Sequence, residues 1–264
     1  MYQKIPYRLG LSATPESEYN DEATQFLFDE IGPLFYYFGL ADAIAKGILC
    51  PFEYTPISYS PLAKEIAEVG SIRKKFEGAK KKNPAAATSI IKRMQMEMAK
   101  VWKKSEGKHP GLEEILSKPK NLVKCIIFGP EKKYKSKILE LLQKANSNHG
   151  LTYTEYYGET DKKYLDFYRN GRVQVLLTCK AISEGVDLDV NTIVLVASDG
   201  PKLETIQRIG RALRTHGDAT KVAKVIDFIR DNSDDSADTR RREWLKELSE
   251  SGLKSWSAMQ EEEE

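Results

Sequence analysis

From Asn121 onward, short apolar runs alternate with longer polar segments of helical length. This alternation predicts an α/β fold, in which a parallel sheet carries helices on both faces. Ligands of such sheets bind beyond the carboxyl ends of the strands, so the residues that follow each run are candidates for function. The predicted strands are Leu122 to Phe128, Thr152 to Tyr157, Val173 to Thr178, Thr192 to Ala197 and Lys224 to Ile229.

The pattern before Asn121 predicts a connector followed by a strand and helices. Between Asp21 and Gly47 the apolar positions are mixed, and only Leu40 to Lys46 is expected to be helical. Two prolines place the run from Pro51 to Tyr59 at the edge of a sheet, because proline cannot donate a ladder hydrogen bond.

Two helices are predicted between this strand and the sheet. Ser60-Pro61 favours the start of the first, because serine caps free amide groups and proline fits the first turn. The second, Ala85 to Lys104, carries apolar residues on one side and lysines on the other, which is typical of core packing. Asn83-Pro84 and the sequence from His109 to Gly111 are expected to interrupt helical structure on either side of this second helix.

The net charge of +2 conceals an uneven distribution of charge along the chain. The segment from Lys64 to Lys108 is strongly basic, and it either faces a phosphate backbone or forms a solvated helix face. The segment from Asp231 to Glu264 is mostly acidic and either solubilises the chain or competes with DNA for the basic face. Its last glutamates are expected to be disordered. An amphipathic helix is predicted from the spacing of Trp244, Leu245, Leu248 and Leu253.

Cysteine and histidine usage argues against a disulfide framework or a metal cluster. Cys50, Cys125 and Cys179 are far apart and flanked by apolar residues, so we expect small buried hydrophobic side chains. The three histidines have no metal-ligand spacing. No apolar run suits a membrane span, and the N-terminus lacks the features of a signal peptide. We therefore expect an intracellular protein that is cytoplasmic, or nuclear in a eukaryote.

Small, polar and flexible residues follow four of the predicted strands. Glycine lets a ligand approach the backbone closely, and threonine or serine offers a hydroxyl. Four such segments in register predict a ligand-lined edge of the sheet. The segments are Gly129-Pro130, Gly158 to Asp161, Thr178 to Asp187 and Ser198 to Pro201.

The strongest local signal is the sequence Gln207-Arg208-Ile209-Gly210-Arg211-Ala212-Leu213-Arg214. On a helix, Arg211 and Arg214 lie one turn apart on one face, with Gln207 one turn before Arg211. Two guanidinium groups that point in one direction favour phosphate or carboxylate. A glycine inside a helix costs about 1 kcal/mol relative to alanine, so Gly210 predicts the close approach of another surface.

The order and spacing of these segments resemble those of superfamily 2 helicases. In that family two RecA-like lobes hold ATP between them, and the resemblance implies that this chain forms the second lobe. The implied fold is a RecA-like parallel sheet flanked by helices, with a helical insertion and a C-terminal helix. The matching segments are Leu11 to Thr14 for motif III, Ile126 to Phe128 for motif IV, Thr178 to Asp187 for motif V and Gln207 to Arg214 for motif VI.

The connector between the lobes resembles one branch of the family in particular. That branch contains the XPB-type DNA repair helicases and the motor subunits of restriction enzymes, and it acts mostly on duplex DNA. An RNA helicase is the alternative, although no residue here has a pattern that recognises a 2′-hydroxyl. The matching segments are Gly32-Pro33-Leu34, Leu40 to Ile44 and Gly47 to Phe52.

The resemblance implies that motif VI and motif V contact the nucleotide. Arg214 is the expected arginine finger, Arg211 a second phosphate contact and Gln207 a sensor of the γ-phosphate or the attacking water. Asp187 is expected to contact the ribose of ATP. The backbone of Gly185 is expected to approach the nucleotide.

The resemblance also implies contacts to the phosphates of a nucleic-acid strand, from backbone amides, hydroxyls or charge. Ser12 and Thr14 resemble the relay between the nucleotide site and that strand. For Thr160 and Thr178, capping of helices is the alternative role. The expected contacts are Gly158, Thr160, Thr178 and Lys180.

Five parts of the chain follow from the resemblance. Residues 1–15 are expected to be a remnant of the first lobe and residues 16–50 the connector. Residues 51–118 would hold a first strand and the basic helical insertion, residues 119–230 the second RecA-like lobe, and residues 231–264 the acidic helical tail.

Two parts of a complete ATP site are missing from the sequence. No Gly-x-x-x-x-Gly-Lys-Ser/Thr loop is present to hold the β and γ phosphates and Mg²⁺. Asp21 to Thr24 is no acidic motif II, because it follows motif III and lacks the final acidic or histidine residue. We therefore expect that this polypeptide alone neither binds ATP and Mg²⁺ tightly nor hydrolyses ATP. The parent protein would do so, with a first RecA-like lobe and duplex DNA as partners.

A non-catalytic nucleic-acid-binding or regulatory module is the alternative function. Such a module would act through the basic cluster of Arg73, Lys74, Lys75 and Lys80 to Lys82. An unrelated α/β enzyme has little support, because no dinucleotide fingerprint, nucleophile elbow or metal cluster is present.

Overall fold

The computed structural model describes residues 7–12, 21–158, 160–179, 188–197, 202–231 and 237–263. All neighbouring strands are parallel in a six-stranded sheet, with the order β1-β6-β5-β2-β4-β3. This sheet confirms the predicted α/β fold. The strands are β1 (Phe52–Tyr59), β2 (Cys125–Phe128), β3 (Tyr153–Glu155), β4 (Val175–Thr178), β5 (Thr192–Leu195) and β6 (Ala223–Arg230).

Helices cover both faces of the sheet, and a hydrophobic core lies on each face. Successive residues of β2 alternate between the two cores, because neighbouring side chains of a strand point to opposite faces. The helices of the described residues are α1 (Asp21–Ile31), α2 (Leu40–Ala45), α3 (Ala63–Lys82), α4 (Ala87–Lys103), α5 (His109–Leu116), α6 (Ser136–His149), α7 (Lys163–Arg169), α8 (Lys202–Ala212) and α9 (Ala237–Glu263).

The three central strands β2, β4 and β5 are buried along their whole length. Strands that are covered on both faces read as continuous apolar runs, which is why the sequence located them. Their carboxyl ends lie in register, with Phe128 opposite both Thr178 and Leu195. The segments that follow these three strands therefore start at the same edge of the sheet.

The strand β1 is the edge strand that its prolines predicted. It pairs with β6, where Pro56 lies opposite Asp227, and it is the first strand in the sheet order. The residues of the predicted first strand thus belong to the same sheet as the strands after Asn121.

The acidic tail forms α9, and its apolar side docks on the sheet as predicted. Leu245 and Leu248 are buried, and the Ser249 hydroxyl donates to the Phe52 carbonyl oxygen at 2.6 Å. A Cβ on Gly252 would lie 3.0 Å from Ile44, so the helix approaches α2 closely. The helix extends to Glu263.

Two predicted helix boundaries are wrong. The helix α3 begins at Ala63, and the Leu62 amide donates to the Glu65 carboxylate at 3.0 Å. The Ser60 hydroxyl donates to Asp231 at 2.7 Å and caps no helix. At the second boundary Pro110 lies in the first turn of α5, where its missing N–H costs nothing, so His109 to Gly111 begins a helix.

A buried ion pair joins α9 to β6. Arg241 donates to both carboxylate oxygens of Asp227, at 2.8 Å from Nε and 3.1 Å from Nη2. The Tyr54 hydroxyl donates to the same carboxylate at 3.2 Å. Asp227 has no exposed surface, so loss of its cationic partner would leave a buried charge without compensation.

We therefore expect Arg241→Met to lower the free energy of unfolding by about 3 to 5 kcal/mol. The matched control is Arg242→Met on the exposed side of α9, which should change it by less than about 0.5 kcal/mol. Urea titrations followed by circular dichroism measure both. Equal stability of the two variants would show that the pair does not hold α9 on the sheet.

Candidate functional site

The carboxyl ends of β2, β4 and β5 form one edge of the sheet. The Gly129 amide donates to the Thr178 carbonyl oxygen at 2.7 Å. The amides of Val196 and Ala197 donate to the Phe128 carbonyl oxygen at 3.1 and 2.9 Å. These bonds extend the ladder beyond the strands and fix the start of each following segment.

The helix α8 is attached to this edge by Arg208, whose side chain is only 3% exposed. Its guanidinium group donates to the carbonyl oxygens of Ala197 at 2.8 Å and Cys179 at 3.2 Å, and it pairs with Glu204. The group also lies over the Phe128 ring, 4.9 Å from its centre. Burial lowers the pKa of Arg208, and Glu204 opposes that effect.

The sequence analysis gave Arg208 no role. A signal was nevertheless present, because Arg208 lies on the buried stripe of the helix with Thr205, Ile209 and Ala212. An arginine on an apolar stripe requires internal acceptors, and here the ends of β4 and β5 supply them. Arg208 therefore holds α8 against the strand ends.

The predicted catalytic residues lie off the buried stripe of α8. Gln207 is exposed and Arg211 is half-buried, one helical turn further along. The prediction that Arg214 follows on the same helical face is wrong, because α8 ends at Ala212. The helix ends where the Leu213 carbonyl oxygen accepts a hydrogen bond from the Cys50 amide at 2.8 Å.

Arg214 lies two residues beyond the helix, and its backbone is held on two sides. It forms an antiparallel bridge with Leu49, and its carbonyl oxygen accepts a hydrogen bond from Lys221 Nζ at 2.6 Å. The Arg214 side chain is exposed. The connector residues next to Leu49 thus set the position of Arg214.

The close approach predicted at Gly210 is not found in the part of the chain that the structure describes. A Cβ at Gly210 would have no neighbouring atom within 4 Å there. This part of α8 has room for an additional surface.

Gly158 and Thr160 form a tight turn after β3. The Thr160 hydroxyl oxygen accepts a hydrogen bond from the Tyr157 amide at 2.9 Å, and the Thr160 amide donates to the Tyr157 carbonyl oxygen at 2.6 Å. The N-cap of α7 is Lys162, and the Lys163 amide donates to the Asp161 carboxylate at 3.0 Å. The alternative role of Thr160 as a helix cap is therefore wrong.

Of the remaining predicted site residues, Thr178 and Ser12 lie within the described ranges and four others do not. Thr178 is the last residue of β4 and is buried. Ser12 is exposed, on a segment that the Arg8–Glu30 ion pair joins to α1 at 2.8 Å. The residues outside the described ranges are Thr14, Lys180, Gly185 and Asp187.

Comparison with known proteins identifies this arrangement. Residues 107–216 match the protein family described as the helicase conserved C-terminal domain. The chain therefore carries a helicase C-terminal domain at residues 107–216. The resemblance drawn from the sequence motifs is thereby confirmed, and so is the RecA-like fold.

A relative and two solved structures are similar to this helicase lobe. The DNA 3'-5' translocase XPB2 of Sulfurisphaera tokodaii is 25% identical over 259 residues, which are 90% of this chain and 56% of that protein. The SWI2/SNF2 ATPase core of Sulfolobus solfataricus in complex with dsDNA has a TM-score of 0.53 at 15% identity, and covers 79% of this chain and 47% of that chain. The Pyrococcus furiosus Hef helicase domain has a TM-score of 0.51 at 16% identity, and the match covers 89% of this chain and 66% of that chain.

These likenesses bear on fold and branch. The two structures show the fold. The similarity to XPB2 places the chain near the XPB branch, which the connector also resembles. The chain spans about half the length of XPB2. Among the helices that the structure describes, none is long and apolar enough to cross a membrane.

The cysteines of the helicase lobe behave mainly as small hydrophobic residues. Cys50 and Cys125 are buried, and Cys179 is half-buried at the end of β4. Burial raises the pKa of the Cys125 thiol well above its usual range. No group of three or more metal-ligating side chains lies within the described ranges.

A buried lysine attaches the helical insertion to the same edge. Lys108 Nζ donates to the carbonyl oxygens of Trp102 at 2.9 Å and Val196 at 2.7 Å. The ammonium group lies 4.9 Å from the centre of the Tyr59 ring. Burial lowers the pKa of Lys108 to about 8. Since Val196 follows β5, the insertion is joined to the segment that leads towards α8.

The lowered pKa of Lys108 makes stability depend on pH. An unfolded lysine titrates near pH 10.4, so between about pH 8 and pH 10 the unfolded chain binds more protons than the folded chain. The free energy of unfolding, relative to that of a Lys108→Met variant, should therefore rise by roughly 1 kcal/mol from pH 7 to pH 9.

Urea titrations of both proteins at pH 7, 8 and 9 measure this difference. The raised pKa values of the Cys50 and Cys125 thiols affect both proteins equally, so the comparison isolates Lys108. A difference that stays constant with pH would contradict a buried, titrating Lys108.

Proposed function

We propose that this chain is the second ATP-clamping lobe of an ATP-dependent helicase or translocase that acts on duplex DNA. The position of α8 carries this proposal. Buried Arg208 anchors the helix to the strand ends, while Gln207 and Arg211 lie off its buried stripe. Arg214 follows on a segment held by Leu49 and Lys221.

Motif VI supplies positive charge to the transferred phosphoryl group. Arg214 acts as the arginine finger, Arg211 makes a second phosphate contact, and Gln207 orients the attacking water. Negative charge on the equatorial oxygens of the γ-phosphoryl group is stabilised by guanidinium groups that are already in place. The first lobe holds the triphosphate and Mg²⁺, since this chain has no phosphate loop.

Motif V and the turn after β3 complete the proposed site. Asp187 contacts the ribose, and the backbone of Gly185 approaches the nucleotide. Ser12 and Thr14 connect the nucleotide site to the bound nucleic-acid strand. Thr160 accepts a hydrogen bond from Tyr157, and its own hydroxyl proton remains available for a phosphate oxygen. The phosphates of the tracked strand meet Gly158, Thr160, Thr178 and Lys180.

Duplex DNA as the partner is supported by two comparisons. The relative XPB2 is named a DNA translocase, and the match covers 90% of the length of this chain. The SWI2/SNF2 core, which shares the fold, was solved in complex with dsDNA. The sequence of the connector, which resembles the XPB branch, also favours duplex DNA.

The test is ATP hydrolysis by this chain fused to a first lobe that carries the phosphate loop. Duplex DNA should stimulate the fusion protein, and Arg214→Ala should lower kcat by about 100-fold or more. KM should change by less than about threefold, because the finger acts mainly in the transition state. A steady-state assay with saturating DNA measures both constants.

Two matched variants complete this experiment. Arg242→Ala, on the exposed side of α9, should leave kcat unchanged. Arg214→Lys should recover little activity, because an ammonium group lacks the planar fork of guanidinium. If Arg214→Ala hydrolyses ATP as fast as the wild type, the assignment of the arginine finger is wrong.

A further inference from the structure

The loop between α8 and β6 (residues 213–222) turns back sharply just after Arg214. His216 and Gly217 both have left-handed backbone conformations, with φ of 50° and 86°. Glycine adopts this conformation readily, but histidine rarely does, so surrounding contacts must hold the turn in place. The contacts of this loop therefore bear on the position of Arg214.

The loop runs beside the segment that leads from motif V into β5. That segment is described from Leu188, which directly follows Asp187 in the sequence. Because β5 and β6 are neighbours in the sheet, the residues that precede the two strands lie side by side. The Lys224 amide, for example, donates to the Asn191 carbonyl oxygen at 2.8 Å. Motif V and motif VI thus continue into adjacent backbone segments.

Lys221 joins these two segments with a buried ammonium group. Its Nζ donates to the Arg214 carbonyl oxygen at 2.6 Å and lies 3.5 Å from the Asp189 carboxylate. The Lys221 side chain is only 6% exposed. An ammonium group that has left water is costly unless specific acceptors bind it. The two contacts therefore fix the Lys221 ammonium group and, through it, the distance between the two segments.

A second hydrogen bond crosses between the same segments at His216. Its Nε2 lies 3.1 Å from the Leu188 carbonyl oxygen, and it is the donor because a carbonyl oxygen can only accept. The Leu188 side chain is buried, so packing holds this acceptor in place. Arg214 is thus followed by two side chains that reach the segment after motif V.

Neutralisation of Asp189 does not account for the buried lysine. Lys124 pairs with the same carboxylate from the exposed side. What Lys221 adds is the hydrogen bond to the Arg214 carbonyl oxygen. Lys221 therefore has a role at motif VI beyond that of a partner for Asp189.

We propose that Lys221 is a positioning residue for ATP hydrolysis, which holds the arginine finger at a fixed distance from the ribose contact. The inference rests on the proposed function, in which Arg214 meets the γ-phosphoryl group and Asp187 the ribose. Lys221 stays buried behind the Arg214 backbone and acts through it. The chemistry that it serves is the stabilisation of charge in the transition state.

The position of the Arg214 backbone matters because its side chain is long and flexible. The Leu49 bridge holds this backbone on one side and Lys221 holds it on the other. A displacement of about 1 Å at a catalytic group can cost about 100-fold in rate. Loss of Lys221 should therefore lower kcat. The KM for ATP should change little, because the phosphate loop of the first lobe supplies most of the ground-state binding.

The test is ATP hydrolysis by the fusion to a first lobe, with saturating duplex DNA. Lys221→Met removes the ammonium group but keeps an unbranched side chain. It should lower kcat by about tenfold and change KM by less than about threefold. The matched control is Lys124→Met, which removes the exposed lysine from Asp189 and leaves the hydrogen bond to Arg214 in place. Its kcat should stay within about twofold of the wild type.

A double variant separates positioning from a general effect on the fold. In the Arg214→Ala background, Lys221→Met should lower kcat by less than about a further twofold, because the lysine acts through Arg214. An equal loss in both backgrounds would show a general structural role and overturn the inference. Circular dichroism spectra report whether each variant is folded.

His216→Asn tests the same link if Lys221→Met does not fold. Asparagine tolerates the left-handed backbone, and its shorter side chain withdraws from the Leu188 carbonyl oxygen. It should lower kcat by about threefold, and again only while Arg214 is present.

The arms of this experiment distinguish the inference from the proposed function. If Lys221→Met and His216→Asn hydrolyse ATP as fast as the wild type while Arg214→Ala is slow, the inference is wrong and the proposed function stands. If Arg214→Ala is equally fast, the arginine finger is wrong as well.

Discussion

The site depends on one buried arginine. Arg208 donates to carbonyl oxygens that follow β4 and β5, pairs with Glu204 on its own helix and covers the ring of Phe128 at the end of β2. A buried guanidinium group is costly unless most of its donors have acceptors, and these acceptors come together only when the ends of β4 and β5 and α8 are in place. The position of the motif VI helix therefore depends on the strand ends of the sheet. Gln207 and Arg211, which the proposed function assigns to the nucleotide, owe the position of their helix to buried Arg208.

The same principle recurs where other parts join the sheet. Asp227 and Arg241 hold α9, and Lys108 connects the helical insertion to the residue that follows β5. In each case a charged group has left water and is balanced by a specific partner, so a shift of the element by an ångström or two would be costly. Apolar packing stabilises the two cores, but these polar contacts decide where each helix lies. The proposed meeting with a second domain across a nucleotide needs that precision.

The sequence predicted those features that depend on local pattern. Continuous apolar runs located the buried strands, and the prolines located the edge strand β1. Arg208 escaped notice because its acceptors are backbone carbonyls, which have no sequence signature. The end of α8 at Ala212 was missed for a related reason, since the hydrogen bond that ends it comes from Cys50, more than 160 residues earlier. Thr160 was expected at the start of a helix, and a four-residue turn that begins at Tyr157 uses its hydroxyl oxygen instead.

The central claim is that Arg211 on α8 and Arg214 just beyond it meet a triphosphate held by another domain. A crystal structure of this chain fused to a first lobe, with ADP and aluminium fluoride bound as a transition-state analogue, tests it most directly. The account predicts guanidinium nitrogens of Arg211 and Arg214 about 3 Å from the fluoride ligands, with Arg208 still buried against Ala197 and Cys179. Arginines 211 and 214 turned away from the analogue, with a different cation in their place, would contradict it.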